Sequence, residues 1–467
     1  MSLKIYNTMS RSVEEFIPFS NKEVRMYTCG PTVYHFQHIG NMRTYISEDI
    51  LEKTLRYLGY NVKRVMNITD VGHLTSDSDT GEDKMEVAAR RENKGVLEIA
   101  KMYTDIFFDD MNKLNLKRPD VVSKATDNID EYVKIIKRLL EKGVAYKANN
   151  NIYFDVTKFP SYYDLSRKKA NDLQVGSRDE VEYDDAKRNQ ADFVLWFNTS
   201  KFANHILKWN TELGEGYPGW HIECSGISMK YLGEHLDIHC GAVDAIFPHH
   251  TNEIAQSEAY LGHKWCNYWV HMAFLNDQTG KMSKSKGDFL TISNLEKRGF
   301  SPMAYKFYCL QSHYRNTLTF DFEKLANAEN DYNRLVNKIV SLKDDNNVNE
   351  SIYNTYINKF IDSISSDLNT ASVITLIYDL LKENVNDGTK VAVLKEFEKV
   401  LSLNLFVKEE KTIENDLEDY ILKMIDERNV AKSNKDYARA DSIRKELLDK
   451  GIELVDTREG TKYNIKK

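Results

Sequence analysis

Residues 24–60 read VRMYTCGPTVYHFQHIGNMRTYISEDILEKTLRYLGY, and this stretch decides the fold. Val24 to Tyr27 is a short apolar strand that runs into the turn Cys29-Gly30-Pro31. From Asn41 to Tyr60 the apolar residues Leu51, Leu55 and Leu58 recur at helical spacing. Strand, loop and helix in that order open an α/β domain built on a parallel sheet. Asn61 to Ile68 and His235 to Cys240 read as further strands of it. Between them lie a helical stretch near Val96 to Leu140 and a polar, strand-like region from Ala148 to Phe202, expected as an insertion that caps the sheet.

The chain has 467 residues, too many for one hydrophobic core, so three or four domains are expected. Hydrophobic residues make up 41% and charged residues 29%, the composition of an ordinary globular protein. Met1 to Arg11 lacks an apolar leader, and no apolar run is long enough to span a bilayer, which points to a soluble cytoplasmic monomer with no membrane partner. Five scattered cysteines make no disulfide framework. With 64 Lys and Arg against 71 Asp and Glu, no global positive field advertises a nucleic acid. Only the last stretch, Ile421 to Lys467, reverses the balance, with twelve basic residues against nine acidic ones.

From about Phe322 the chain reads as amphipathic helices of a bundle, with a loop at Lys343 to Glu350. After Glu409 a charged stretch leads into a final helix, Leu417 to Lys450, and a short α+β tail. No internal repeat is present.

Two constellations carry chemistry. His249 and Glu253 sit four apart just after Pro248, on one face of an expected helix. With Cys29 and Cys224 they would supply the thiolate, imidazole and carboxylate donors that zinc accepts in a tetrahedral shell. Spacing alone leaves this open: both cysteines could be buried small hydrophobes, and His250 could replace His249. The second constellation is His35, His38, Gly40 and Asn41 in PTVYHFQHIGN, directly ahead of a helix whose N-terminus favours an anion. Far downstream, Lys281 and Lys284 lie in the small-residue loop NDQTGKMSKSKG, where lysines can reach a pyrophosphate leaving group. A helix cap and a solvated loop are the plainer readings of these two.

Taken together, PTVYHFQHIGN and KMSKS resemble the two ATP signatures of class I aminoacyl-tRNA synthetases. YTCGPTVY, NITDVGHLTSD, DDAKRNQADFVLW, GYPGWHIECS, FPHHTNEIAQS and KDYARADSIRKEL extend the resemblance, essentially end to end, to the cysteinyl-tRNA synthetase family. The resemblance implies a Rossmann-like domain in two halves, 1–120 and 206–275, split by a connective insertion, 121–205. A KMSKS loop and stem-contact region (276–320), a tRNA-binding helical bundle (321–408) and an anticodon-binding domain (409–467) would follow.

It implies activation of L-cysteine by Mg2+-bound ATP and transfer to the terminal adenosine of tRNA(Cys). One Zn2+ would sit on Cys29, Cys224, His249 and Glu253. His38, Asn41, Lys281 and Lys284 would be catalytic, with His35, Gly40 and Asp244 completing the ATP site. Trp220 would wall the amino-acid pocket, with Thr69 and Asp70 near the substrate's ammonium. In the last domain Arg439, Arg444, Asp441 and Asp456 are candidates for RNA contact, since arginines position phosphates and carboxylates accept from base amines; a solvated helix face is the alternative. The pattern is broken at Cys240, where glycine is usual, at Tyr217 for Arg, and at Tyr463 for Trp. A ligase that joins activated cysteine to an amino sugar would lack the C-terminal region, and a non-catalytic homologue would not need both ATP signatures.

Overall fold

The computed structural model describes residues 2–72, 84–92, 94–168, 185–198, 207–277, 280–281, 290–407, 415–433, 436–457 and 460–465. Five parallel strands form the central sheet: β1 (Glu23–Thr28), β2 (Asn61–Ile68), β3 (Val121–Lys124), β4 (Leu236–Ala242) and β5 (Cys266–Met272). Their order is β5-β4-β1-β2-β3, with every neighbouring pair parallel. Helices α1 (Ile39–Tyr57) and α2 (Val96–Lys113) share a core with Met26, Met66 and Ile238. On the opposite face α3 (Ile129–Glu141), α4 (Trp220–Leu232) and α5 (His249–Leu261) pack on Tyr27 and Val65. Met26 and Tyr27 are adjacent in β1 and fall in different cores, as the two-residue period of a strand covered on both faces requires.

Strand order reverses direction between β1 and β4, so a crevice opens outside their carboxyl ends, the position where open α/β sheets bind ligands. The two ends are tied there by a 3.3 Å hydrogen bond from Cys29 N to Cys240 O.

The stretch from Val96 to Leu140 is not one helical run. β3 interrupts it and completes the central sheet. Four residues are too few to show a strand period between two strongly amphipathic helices. The insertion accordingly starts later than residue 121 and ends later than 205: a second, antiparallel sheet has strands Ala145–Ala148, Asn151–Phe154, Phe193–Phe197, Trp209–Thr211 and Gly214–Pro218.

Helices Pro302–Leu310, Phe322–Val340, Glu350–Ser365, Thr370–Lys382 and Asp387–Leu401 complete a compact unit that ends at Phe406. A separate unit, Val407–Lys467, holds helices Asn415–Ser433 and Tyr437–Asp449 and the hairpin Ile452–Thr457 with Gly460–Ile465. The expected single helix Leu417–Lys450 is thus two. Asp436 starts the second by accepting from Arg439 N at 3.0 Å, an N-cap that ends one helix and begins another. No helix among the described residues is long and apolar enough to cross a membrane.

Candidate active site

The loop after β1 forms the floor of the crevice. Gly30 passes so close to β2 that a Cβ would lie 1.7 Å from Asn67 O, so only glycine fits. Its N–H donates to Asn67 Oδ1 at 2.8 Å. This fixes Cys29 at the switch point, half-buried.

α1 begins beside it with a reciprocal cap. His38 Nδ1 accepts from Asn41 N at 3.0 Å, while Asn41 Oδ1 accepts from His38 N at 3.2 Å. This is the geometry of a capping box, built from His and Asn rather than Ser and Glu. With Nδ1 accepting, a neutral His38 ring carries its hydrogen on Nε2. The buried Arg43 locks the same helix end, donating to the carbonyls of Ala273 (3.0 Å), Phe274 (2.7 Å), His313 (3.3 Å) and Asn316 (2.7 Å). Sequence reading missed Arg43; an arginine so near a helix start, among apolar neighbours, was the available signal.

Four donor groups converge opposite. Cys29 Sγ lies 4.0 Å from Cys224 Sγ, Cys224 Sγ lies 3.5 Å from His249 Nε2, and His249 Nε2 lies 3.0 Å from Glu253 Oε1. Ligands about 2.3 Å (sulfur) and 2.0 Å (nitrogen) from a tetrahedral zinc stand roughly 3.8 Å (S to S) and 3.5 Å (S to N) apart. The donors therefore already sit at the spacing that ion imposes. Glu253 Oε1 is buried and, among the described residues, makes no hydrogen bond of good geometry beyond its 3.0 Å contact with His249 Nε2. A second set, Cys29, His239, His250 and Glu253, is equally compact. His250 Nε2 is 3.4 Å from Cys29 Sγ and His239 Nε2 is 2.9 Å from Glu253 Oε2.

Further histidines support these donors: His221 Nδ1 is 2.9 Å from His249 Nδ1, and His250 Nδ1 is 2.8 Å from His271 Nε2. This network was not anticipated as a whole, because its members lie on four separate segments. The electrostatics follow from it. Burial works against the Glu253 charge, but His239 and His249 hold its pKa down at about 2. Burial opposes the Cys224 thiolate too, yet hydrogen bonding from Cys29 and the nearby His249 bring its pKa down to about 7. Burial alone would lower the pKa of His249; Glu253 and Cys224 instead raise it well above the usual imidazole value.

Cys29, Cys224 and His249 line one cavity of about 390 Å³ together with Trp220, His38, Gly40, Asn41 and Asp244. Trp220 is the first residue of α4, and its ring sits 4.5 Å from that of His249. Asp244 is exposed on a turn of 3-10 helix at the end of β4.

Other expected residues are not brought to this cavity. Thr69 is buried behind it, donating to Glu223 Oε2 at 2.8 Å, and the buried Asp70 accepts from Thr126 N (2.9 Å) and Oγ1 (2.7 Å). His35 stacks on Tyr103 at 6.1 Å. Cys240 is fully buried in β4 and belongs to neither donor set. Lys281 pairs in a short strand with Asn276, and its side chain, like Lys284, lies outside the described residues. Arg439, Asp441 and Arg444 are exposed on the helix Tyr437–Asp449, with Arg439 3.3 Å from Glu427; the Asp456 side chain lies outside the described residues.

A parallel sheet thus carries a ligand cavity at its switch point, with a helix N-terminus on one side and candidate metal donors on the other. Residues 15–330 match the family described as tRNA synthetases class I (C) catalytic domain. The fold is shared with methionyl-tRNA synthetase of Mycobacterium tuberculosis in complex with methionyl-adenylate, at a TM-score of 0.55 and 13% identity over 82% of this chain and 90% of that one. Cysteine–tRNA ligase of Treponema denticola is 45% identical over 98% of each chain, and that of Borreliella burgdorferi 42% over 99% of each. That of Burkholderia lata, named cysteine–tRNA ligase 1, is 41% identical over 98% of this chain and 96% of its own. The chain belongs to the cysteine–tRNA ligase family.

Proposed function

We propose that the chain activates L-cysteine with Mg2+-bound ATP, releasing pyrophosphate, and transfers it from cysteinyl-adenylate to the 3′-terminal adenosine of tRNA(Cys). The carrying observation is that the thiol donors Cys29 and Cys224 and the imidazole of His249 share one cavity with the capped N-terminus of α1, with the Glu253 carboxylate 3.0 Å from that imidazole. The expected state is a monomer and the expected setting the cytoplasm.

Of the two donor sets, Cys29, Cys224, His249 and Glu253 is the proposed holder of the metal. Cys29, Cys224 and His249 line the cavity, whereas His239 and His250 do not and are fully buried. His221 and His239 then act as outer partners that orient His249 and Glu253. Zinc held there supplies a soft Lewis acid that favours a thiolate over the harder hydroxyl of serine. Discrimination by such chemistry makes a separate editing site unnecessary.

Trp220 walls the amino-acid end of the cavity and keeps water from it. Asp244 accepts from the ribose hydroxyls of ATP. The substrate carboxylate attacks the α-phosphate in line, and no protein nucleophile is required. His38, through its Nε2 hydrogen, and the positive end of the α1 dipole meet negative charge on the phosphates. Lys281 and Lys284 neutralise the departing pyrophosphate. Thr69 and Asp70, whose side chains bond to Glu223 and Thr126, are the proposed neighbours of the substrate's ammonium. The test is exchange of labelled pyrophosphate into ATP: cysteine should drive it and serine should not. An enzyme in which cysteine drives no exchange would overturn the assignment.

A further inference from the structure

Arg43 lies one turn inside α1 and is 2% exposed. Its Nη1 donates to the carbonyls of Ala273 and Phe274, and its Nη2 to those of His313 and Asn316, at 2.7 to 3.3 Å. Burying a guanidinium is costly even when every N–H is met, and an apolar side chain of similar volume serves plain packing as well or better. A rigid planar fork does what an apolar side chain cannot. It holds two separate stretches of main chain against one helix at set angles.

The first stretch is part of the cavity. Ala273, Phe274 and Leu275 line it, and strand Leu275–Asp277 continues to Asn276, which pairs with Lys281. The second stretch, 313–320, supplies no lining residue but is tied to the first. Ala273 N donates to Tyr314 O (2.9 Å), Leu318 N to Phe274 O (3.1 Å) and Phe320 N to Asn276 O (2.7 Å). Asp367 anchors its start, accepting from Tyr314 Oη at 2.6 Å and Arg315 Nε at 2.7 Å. The cysteine end of the cavity draws on other elements: Cys29 follows β1, Trp220 and Cys224 belong to α4, and His249 begins α5. None of those four residues is among the hydrogen-bond partners of the Arg43 side chain.

We propose that Arg43 is a positioning residue for ATP, holding the wall Ala273–Leu275 and the strand paired with Lys281 at a fixed place relative to His38 and Asn41. This rests on the activation chemistry proposed above, in which His38 and Lys281 both act on the phosphates. Because its grip reaches one wall and spares the metal donors, Arg43 governs the fit of ATP and leaves that of cysteine alone.

The experiment compares cysteine-dependent pyrophosphate exchange by the full-length metal-loaded protein and by Arg43→Lys, which keeps the charge and loses the fork. KM for ATP should rise about tenfold, the size of coupling that such networks carry, while KM for cysteine and bound zinc stay within about twofold. Arg64→Lys is the comparison for plain core structure. Arg64 is 1% exposed, donates to Lys117 O at 2.8 Å and pairs with Glu52 at 3.1 Å, and none of the three lines the cavity. Its substitution should lower Tm and leave both KM values within about twofold. The two KM values rising together in Arg43→Lys, an unchanged KM for ATP, or an equal rise in Arg64→Lys would overturn the proposal.

The wild-type protein gives a second readout should Arg43→Lys fail to fold. Mg2+-ATP added without cysteine should slow amide hydrogen exchange over 313–320 by about threefold, although no residue there lines the cavity. Unchanged exchange over that stretch would overturn the proposal. All these results leave the function standing; a wild-type protein in which cysteine drives no pyrophosphate exchange would sink the function, and this inference with it.

Discussion

The cavity at the switch point and the C-terminal unit both draw their candidate polar residues from short motifs, and the fold treats the two sets differently. In the first, residues from three distant segments converge: Cys29, Cys224 and His249 within sulfur and nitrogen contact, with His38 and Asn41 across the same 390 Å³. In the second, Arg439, Asp441 and Arg444 remain exposed on one helix. Buried donors that stand at zinc-ligand spacing point to a cation at their centre, over and above the contacts they make with one another. Exposed residues without such convergence carry no such inference.

That contrast orders the expected effects of substitution. The largest belongs to Cys224→Ser. Loss of an outer partner costs 10- to 100-fold in metal affinity, so loss of this donor should cost more than about 100-fold and abolish cysteine-dependent exchange. Metal analysis of purified protein checks it; a variant that retains a full equivalent of zinc would move the site to the His239 and His250 set.

Next is His38→Ala, which removes both the Nε2 donor and half of the α1 cap. Exchange should fall by roughly 10²-fold, while stability drops by only about 1 kcal/mol. A loss of rate no greater than a cap alone explains would confine His38 to structure.

In the C-terminal unit, Arg439→Ala with Arg444→Ala should raise KM for tRNA about fivefold at low salt and leave exchange unchanged, since phosphate contacts contribute affinity rather than chemistry. Unaltered tRNA kinetics would make this face ordinary solvated surface.

The smallest effect tests the buried half of α1. Glu48 is fully buried there without a hydrogen-bond partner among the described residues, and burial pushes its pKa up to about 8, partly opposed by Arg64. Folding therefore favours its protonated form. Its contribution is fully present below the unfolded value near 4.5 and is lost as pH rises through 8. Glu48→Gln should gain a few degrees in Tm relative to the wild-type protein between pH 5 and pH 8; a gap independent of pH would mean that Glu48 is neutralised by a partner.

Much of the site was legible because its motifs are local. Pro248 with His249 and Glu253, or the capped start of α1, can be read within a few residues, and the resemblance of the flanking motifs linked Cys29 to Cys224. What stayed hidden is what only the fold assembles. The histidines His221, His239, His250 and His271 come from separate helices and strands, and nothing in their own neighbourhoods brings them together. β3 escaped notice because four residues carry too little periodicity between two amphipathic helices. Thr69 and Asp70 were expected near the substrate's ammonium through the resemblance, and their hydrogen bonds to Glu223 and Thr126 are partners that no sequence pattern could name. The break before Tyr437 was written in the sequence, as an Asp followed three residues later by the N–H it caps, within a stretch whose helical charge pattern masked it.

The most direct test is transfer of labelled cysteine, with labelled serine in parallel, onto unfractionated tRNA by the full-length protein and ATP. Cysteine should be charged and serine discriminated against by about 10⁴-fold or more, as metal-based selection requires. Equal charging of both amino acids, or no acid-precipitable cysteine on tRNA at all, would contradict the account.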